Sequence, residues 1–91
     1  MTNAKNKPEE MQSNLERRRR ARNLTRKELG EKTGVDWRKI ESWEQYPEKI
    51  NRAEAYAVLR VAECLRCKSI REILELDPTK PYLQKRQSNV Q

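Results

Sequence analysis

Ninety-one residues, 34% of them hydrophobic, allow one small domain with a modest core. No apolar run is long enough for a membrane span and no charged-then-apolar leader is visible, so a cytoplasmic protein without membrane attachment is expected. A formal net charge of +7 favours a polyanionic partner such as nucleic acid, and the absence of histidine removes the commonest acid–base group and metal ligand.

Residues 1–10 are polar and without period, and are expected to form a flexible arm. A first helix is expected over Glu10 to Arg22, with Met11 and Leu15 on its apolar side and Ala21 and Leu24 closing the far end. It carries Arg17, Arg18, Arg19, Arg20 and Arg22. Charge runs are usually solvated faces. Four consecutive arginines, however, turn around most of a helix, so at least one must face the domain.

Thr25 followed by Glu28 is a capping box, in which hydroxyl and carboxylate each satisfy a backbone N–H of the other's residue. A second helix therefore starts there, with Leu29 and Thr33 on one face. Gly34 ends it, because a left-handed residue at a helix terminus is adopted by glycine without a Cβ penalty. Asp36 is a good N-cap for a third helix. In that helix Ile40, Trp43 and Glu44 form an inward stripe, leaving Trp37, Arg38, Glu41, Ser42 and Gln45 on the other side. Gly30 is small where the two helices must cross closely.

Tyr46 to Asn51 reads as a loop containing the helix-breaking Pro47. Asn51 with Glu54 is an N-cap pattern for a fourth helix, whose expected core face is Ala55, Val58, Leu59, Ala62 and Leu65, with Tyr56 outside it. Ser69 with Glu72 caps a short fifth helix carrying Ile70, Ile73 and Leu74. Residues 77–91, with Pro78 and Pro81, are expected to be a flexible tail in which Tyr82 and Leu83 can dock back. No alternating β pattern occurs, so the fold class is all-α.

Two short helices joined by a glycine-containing turn make the helix-turn-helix signature. Leu24, Thr25, Glu28, Leu29, Gly34, Val35, Ile40, Trp43 and Glu44 stand at positions matching the Cro/lambda-repressor-like (XRE) helix-turn-helix family, which the chain resembles from about Leu15 to Leu76. The resemblance implies a five-helix DNA-binding domain over residues 11–76, of prokaryotic, phage or mobile-element origin, acting as a dimer on inverted repeats. It also implies a structural ion pair between Arg19 and Glu44. Arg18 departs from the family, which usually has an apolar residue there, and Gln45-Tyr46 replaces its usual Asn-Gly.

On this reading the third helix enters the major groove, and Trp37, Arg38, Glu41 and Ser42 are the base-reading candidates. Arg38 leads, since a guanidinium pairs bidentately with guanine O6 and N7. Ser42 suits either kind of base pair. Glu41 either accepts from cytosine N4 or pairs with Arg38 along the helix. Trp37 touches a thymine methyl or sugar, or packs on protein. Arg26, Lys27, Lys39, Lys49 and Arg52 are the phosphate candidates, with Arg26 foremost because it opens the second helix.

Cys64 and Cys67 lack the βα context of a redox site, and zinc needs four ligands, so packing is expected and no metal or cofactor. No nucleophile–base pair and no phosphate loop are visible, so an enzyme is not expected. A sequence-specific regulator of double-stranded DNA, most simply a repressor, is the expectation. Two alternatives remain: an antitoxin or antirepressor whose main partner is another protein, and a non-specific nucleic-acid cofactor using the arginine run.

Overall fold

The computed structural model describes residues 8–76 and is all-α. Four α-helices run Asn14–Ala21 (α1), Arg26–Thr33 (α2), Trp37–Gln45 (α3) and Ala55–Cys64 (α4). Three 3-10 segments, Glu9–Met11, Pro47–Arg52 and Ile70–Glu72, precede α1, join α3 to α4 and follow α4. The arm before residue 8 and the tail beyond Leu76, with Pro78, Pro81, Tyr82 and Leu83, lie outside the described residues. Among the described residues no helix is long and apolar enough to cross a membrane.

Leu15 of α1, Leu29 of α2, Ile40 and Trp43 of α3, Ile50 of the second 3-10 segment, Val58, Val61 and Ala62 of α4, and Leu65 and Ile73 beyond it meet in one core. Apolar burial on this scale is the main favourable contribution to folding a domain of this size.

Helix boundaries follow the local capping chemistry. The first helix is shorter than expected. It begins at Asn14, because the Ser13 hydroxyl accepts from the Glu16 N–H at 3.0 Å and N-caps the helix there. Residues Glu9–Met11 form a separate turn, and Met11 is exposed instead of lying on an apolar side. Ala21 is likewise exposed, and Leu24 closes that end by packing on the core. Asn23 ends α1 in the left-handed region (φ 58°), which asparagine tolerates better than most residues.

The Thr25–Glu28 capping box of α2 is complete in both directions, at 3.0 Å and 2.8 Å. Gly34 is left-handed (φ 80°) and its N–H bonds to the Gly30 carbonyl at 2.8 Å. Thr33 completes the turn: its hydroxyl donates to the Leu29 carbonyl and accepts from the Val35 N–H.

Asn51 does not cap α4. Glu54 holds the cap position without a side-chain hydrogen bond. The Asn51 amide instead donates to the Glu75 carbonyl at 2.8 Å and accepts from the Glu75 N–H at 2.9 Å, while Asn14 reaches the Leu74 carbonyl. Asn14 at the start of α1 and Asn51 in the segment between α3 and α4 thus both hold the Leu74–Glu75 end of the described domain. Pro47 opens a 3-10 segment whose Ile50 is buried, so this connection is a packed turn and not an open loop. The core face of α4 is also rotated from the expected one. Val58, Val61, Ala62 and Leu65 are buried, whereas Ala55 and Leu59 face outward beside Tyr56. The fifth helical segment amounts to one 3-10 turn, with the Ser69 hydroxyl accepting from the Arg71 N–H and Ile73 fully buried.

Candidate nucleic-acid interface

At Gly30, α2 lies close against the turn before α3 and against its first residue, Trp37. A Cβ built there would stand 2.8 Å from the Val35 carbonyl oxygen and 3.2 Å from the Cβ of Trp37, so the small residue is what allows the approach. The other fixture is Glu44. Its side chain is fully buried, and it accepts from Arg19 Nε at 2.7 Å, Arg19 Nη2 at 3.0 Å and Arg26 Nε at 2.9 Å. One carboxylate of α3 therefore holds an arginine from α1 and another from α2. Arg19 also donates to the Leu24 carbonyl, so little of its hydrogen-bonding capacity is left unused in the interior.

With Ile40, Trp43 and Glu44 turned inward, Arg38, Ser42 and Gln45 occupy the opposite side of α3. Arg38 is open, with 74% of its side chain exposed. Its guanidinium lies against Asp36, whose carboxylate also accepts the Arg38 backbone N–H at 2.9 Å as the N-cap. These two contacts, the backbone one first, hold the Asp36 carboxyl below its ordinary range.

The remaining candidates divide into groups. Lys39, Ser42, Lys49 and Arg52 line one shallow groove beside α3, together with Trp43 and Glu54. Lys49 Nζ lies 3.5 Å from the Ser42 hydroxyl and 4.9 Å from the centre of the Tyr46 ring. Among the described residues no carboxylate lies within ion-pair distance of Lys39, Lys49 or Arg52. On the opposite flank Lys27 sits over the half-buried Trp37 ring at 5.6 Å. Trp37 is half-buried, with its Cβ close to Gly30.

Arg26 and Glu41 are paired with the protein's own side chains. Arg26 donates to Glu44 and, through Nη1, to Glu41 at 3.3 Å. Its charge is thus shared with two carboxylates, which weakens it as the foremost phosphate contact. Glu41 is paired with Arg26 instead of Arg38, an alternative the intrahelical spacing did not bring out.

The arginine run of α1 is distributed over separate partners. Arg17 bonds to the Gln12 carbonyl and the Asn14 side chain, Arg18 pairs with Glu72 at 3.1 Å, Arg20 with the buried Glu16 at 2.9 Å, and Arg22 donates to the Leu65 carbonyl. Arg18, at the place where the resembled family has an apolar residue, is half exposed and serves as a surface clamp. Sequence reasoning missed Glu16, although the spacing of Ser13 and Glu16 repeats the pattern recognised at Thr25 and Glu28. Cys64 and Cys67 are free, half-buried and packed on the core, and burial pushes the Cys67 thiol up.

Compared with family models, curated proteins and solved structures, the chain matches none.

Proposed function

We propose that this protein is a sequence-specific regulator of double-stranded DNA, built on a helix-turn-helix of the Cro/lambda-repressor-like type. The observation that carries it is the open side of α3: Arg38, Ser42 and Gln45 stand together beside a groove that holds Lys39, Lys49 and Arg52 along with Glu54, and among the described residues none of these three cations forms an ion pair. In this reading Lys39, Lys49 and Arg52 neutralise phosphates and release counterions, while Arg38 and Ser42 meet base edges. Glu44 and Gly30 hold α3 at the angle required and do not touch DNA.

The distribution of charge favours this over a non-specific cofactor acting through the arginine run, whose members are tied to Glu16, Glu44, Glu72 and to backbone carbonyls. Pairing of two copies on an inverted repeat, the usual habit of the resembled family, would supply the specificity one short helix lacks. Selection from a random DNA pool at physiological salt tests the proposal. Enrichment of one short motif, lost in the R38Q variant, is expected. Binding without any enriched motif overturns it.

A further inference from the structure

We infer that Asp36 is a positioning residue for base selection, holding the Arg38 guanidinium with its two-donor end turned toward a guanine. The inference rests on the proposed function and goes one step past it. The Asp36 carboxylate is oriented first by the backbone: Oδ1 accepts the Arg38 N–H at 2.9 Å, which is the N-cap of α3. On the carboxylate so fixed, Arg38 donates from Nε to Oδ1 and from Nη2 to Oδ2, both at 3.4 Å.

A guanidinium carries five N–H donors in a planar fork. The Nε–Nη2 edge faces Asp36, so the Nη1–Nη2 end points away from it. That end presents two parallel donors, the arrangement that matches guanine N7 and O6. Arg38 and Asp36 are 74% and 46% exposed, and a pair so open adds little to folding stability. Its consequence lies in the side-chain geometry. The nearest other acid of α3, Glu41, is occupied by Arg26, which leaves Asp36 as the carboxylate that orients Arg38.

The test uses D36N in the full chain. Asparagine is as good an N-cap as aspartate. It replaces the Oδ2 acceptor with an amide donor, so the cap persists while the second contact to the guanidinium is lost. The motif is first selected with the unaltered protein, and the base pair read by Arg38 is located as the position where R38Q loses preference. Kd is then measured for the selected site and its single-base-pair variants. For D36N, discrimination at that one G·C pair is expected to fall by roughly fivefold to tenfold, within the range one bidentate contact provides. Preferences at the other positions should stay as they were, and the variant should remain folded at neutral pH, since asparagine keeps the cap. Unchanged discrimination by D36N overturns the inference alone, as does an equal loss at every position. A pool that yields no motif, or one whose Arg38 position is not guanine, overturns it as well, and the first of these also removes the proposed function.

Discussion

At the scale of single residues, the interior charge matters most. Glu44 receives hydrogen bonds from two arginines with its side chain fully buried. Removing one partner from such a site leaves buried charge uncompensated, at a cost of about 3–5 kcal/mol. Against the roughly 5–15 kcal/mol that stabilises a whole domain, that is a large fraction. Glu44→Ala is therefore expected to lower the unfolding temperature by at least about 12 °C, read by circular dichroism, and a drop of only a few degrees would contradict the role given to it. The two glycines separate two kinds of constraint. Gly30 needs space, so Gly30→Val should cost about 1–3 kcal/mol through overpacking against the Val35 carbonyl. Gly34 needs conformation: nothing lies within 4 Å of a Cβ there, yet its φ is 80°. Gly34→Ala should cost about 1–2 kcal/mol from backbone strain alone. Urea denaturation of both variants checks the pair, and only Gly30→Val should disturb the Trp37 fluorescence of the folded state.

At the scale of elements, the starts of α1, α2 and α3 each have their own side-chain cap, and each can be weakened separately. Thr25→Ala removes half of the capping box of α2 and should cost about 0.5–2 kcal/mol, measurable by the same denaturation. The cap of α3 titrates, and its sign can be worked out. Asp36 has its carboxyl held below the ordinary 3.8 in the folded state, so its contribution is present above that value and is lost as pH falls through the lower, folded one. In D36N the cap does not titrate, so a plot of unfolding temperature against pH should fall less steeply on its acid limb than that of the unaltered chain. Parallel acid limbs would show the Asp36 charge to be irrelevant. What the sequence made legible follows the same division. Thr25, Gly34 and Asp36 announce α2, its end and the start of α3 through local chemistry, and all three act as expected. The phase of α4 was legible only in part. Of the expected face Ala55, Val58, Leu59, Ala62 and Leu65, Val58, Ala62 and Leu65 are buried, but Val61 takes the inward place of Ala55 and Leu59, a choice between helical registers that only tertiary packing decides. Asn51 looked like a cap because its partner, Glu75, lies far along the chain. The sharing of Arg26 between Glu41 and Glu44 was hidden for the same reason: it joins two helices, whereas spacing along one helix shows only its own neighbours.

At the scale of the whole molecule, what matters is where positive charge remains available. The formal charge of +7 counts every lysine and arginine alike, yet the arginines of α1 are drawn into contacts that hold the domain together. Lys39, Lys49 and Arg52, by contrast, gather on one flank of α3 without carboxylate partners among the described residues. Net charge alone would rank Arg18 with Lys39 as a phosphate contact; the arrangement of partners ranks them apart. The slope of log affinity against log salt distinguishes the two, since each phosphate contact removed lowers its magnitude by about 0.9. Replacing Lys39, Lys49 and Arg52 together by glutamine should thus lower the slope by about 2.7 for each protein copy bound, with a similar loss of affinity for every DNA sequence. Arg18→Gln, which breaks only the half-exposed pair with Glu72, should leave the slope where it was. If Arg18→Gln lowered the slope as much per charge as the triple replacement does, the positive surface would act as a diffuse field, and α3 would have no privileged place in binding.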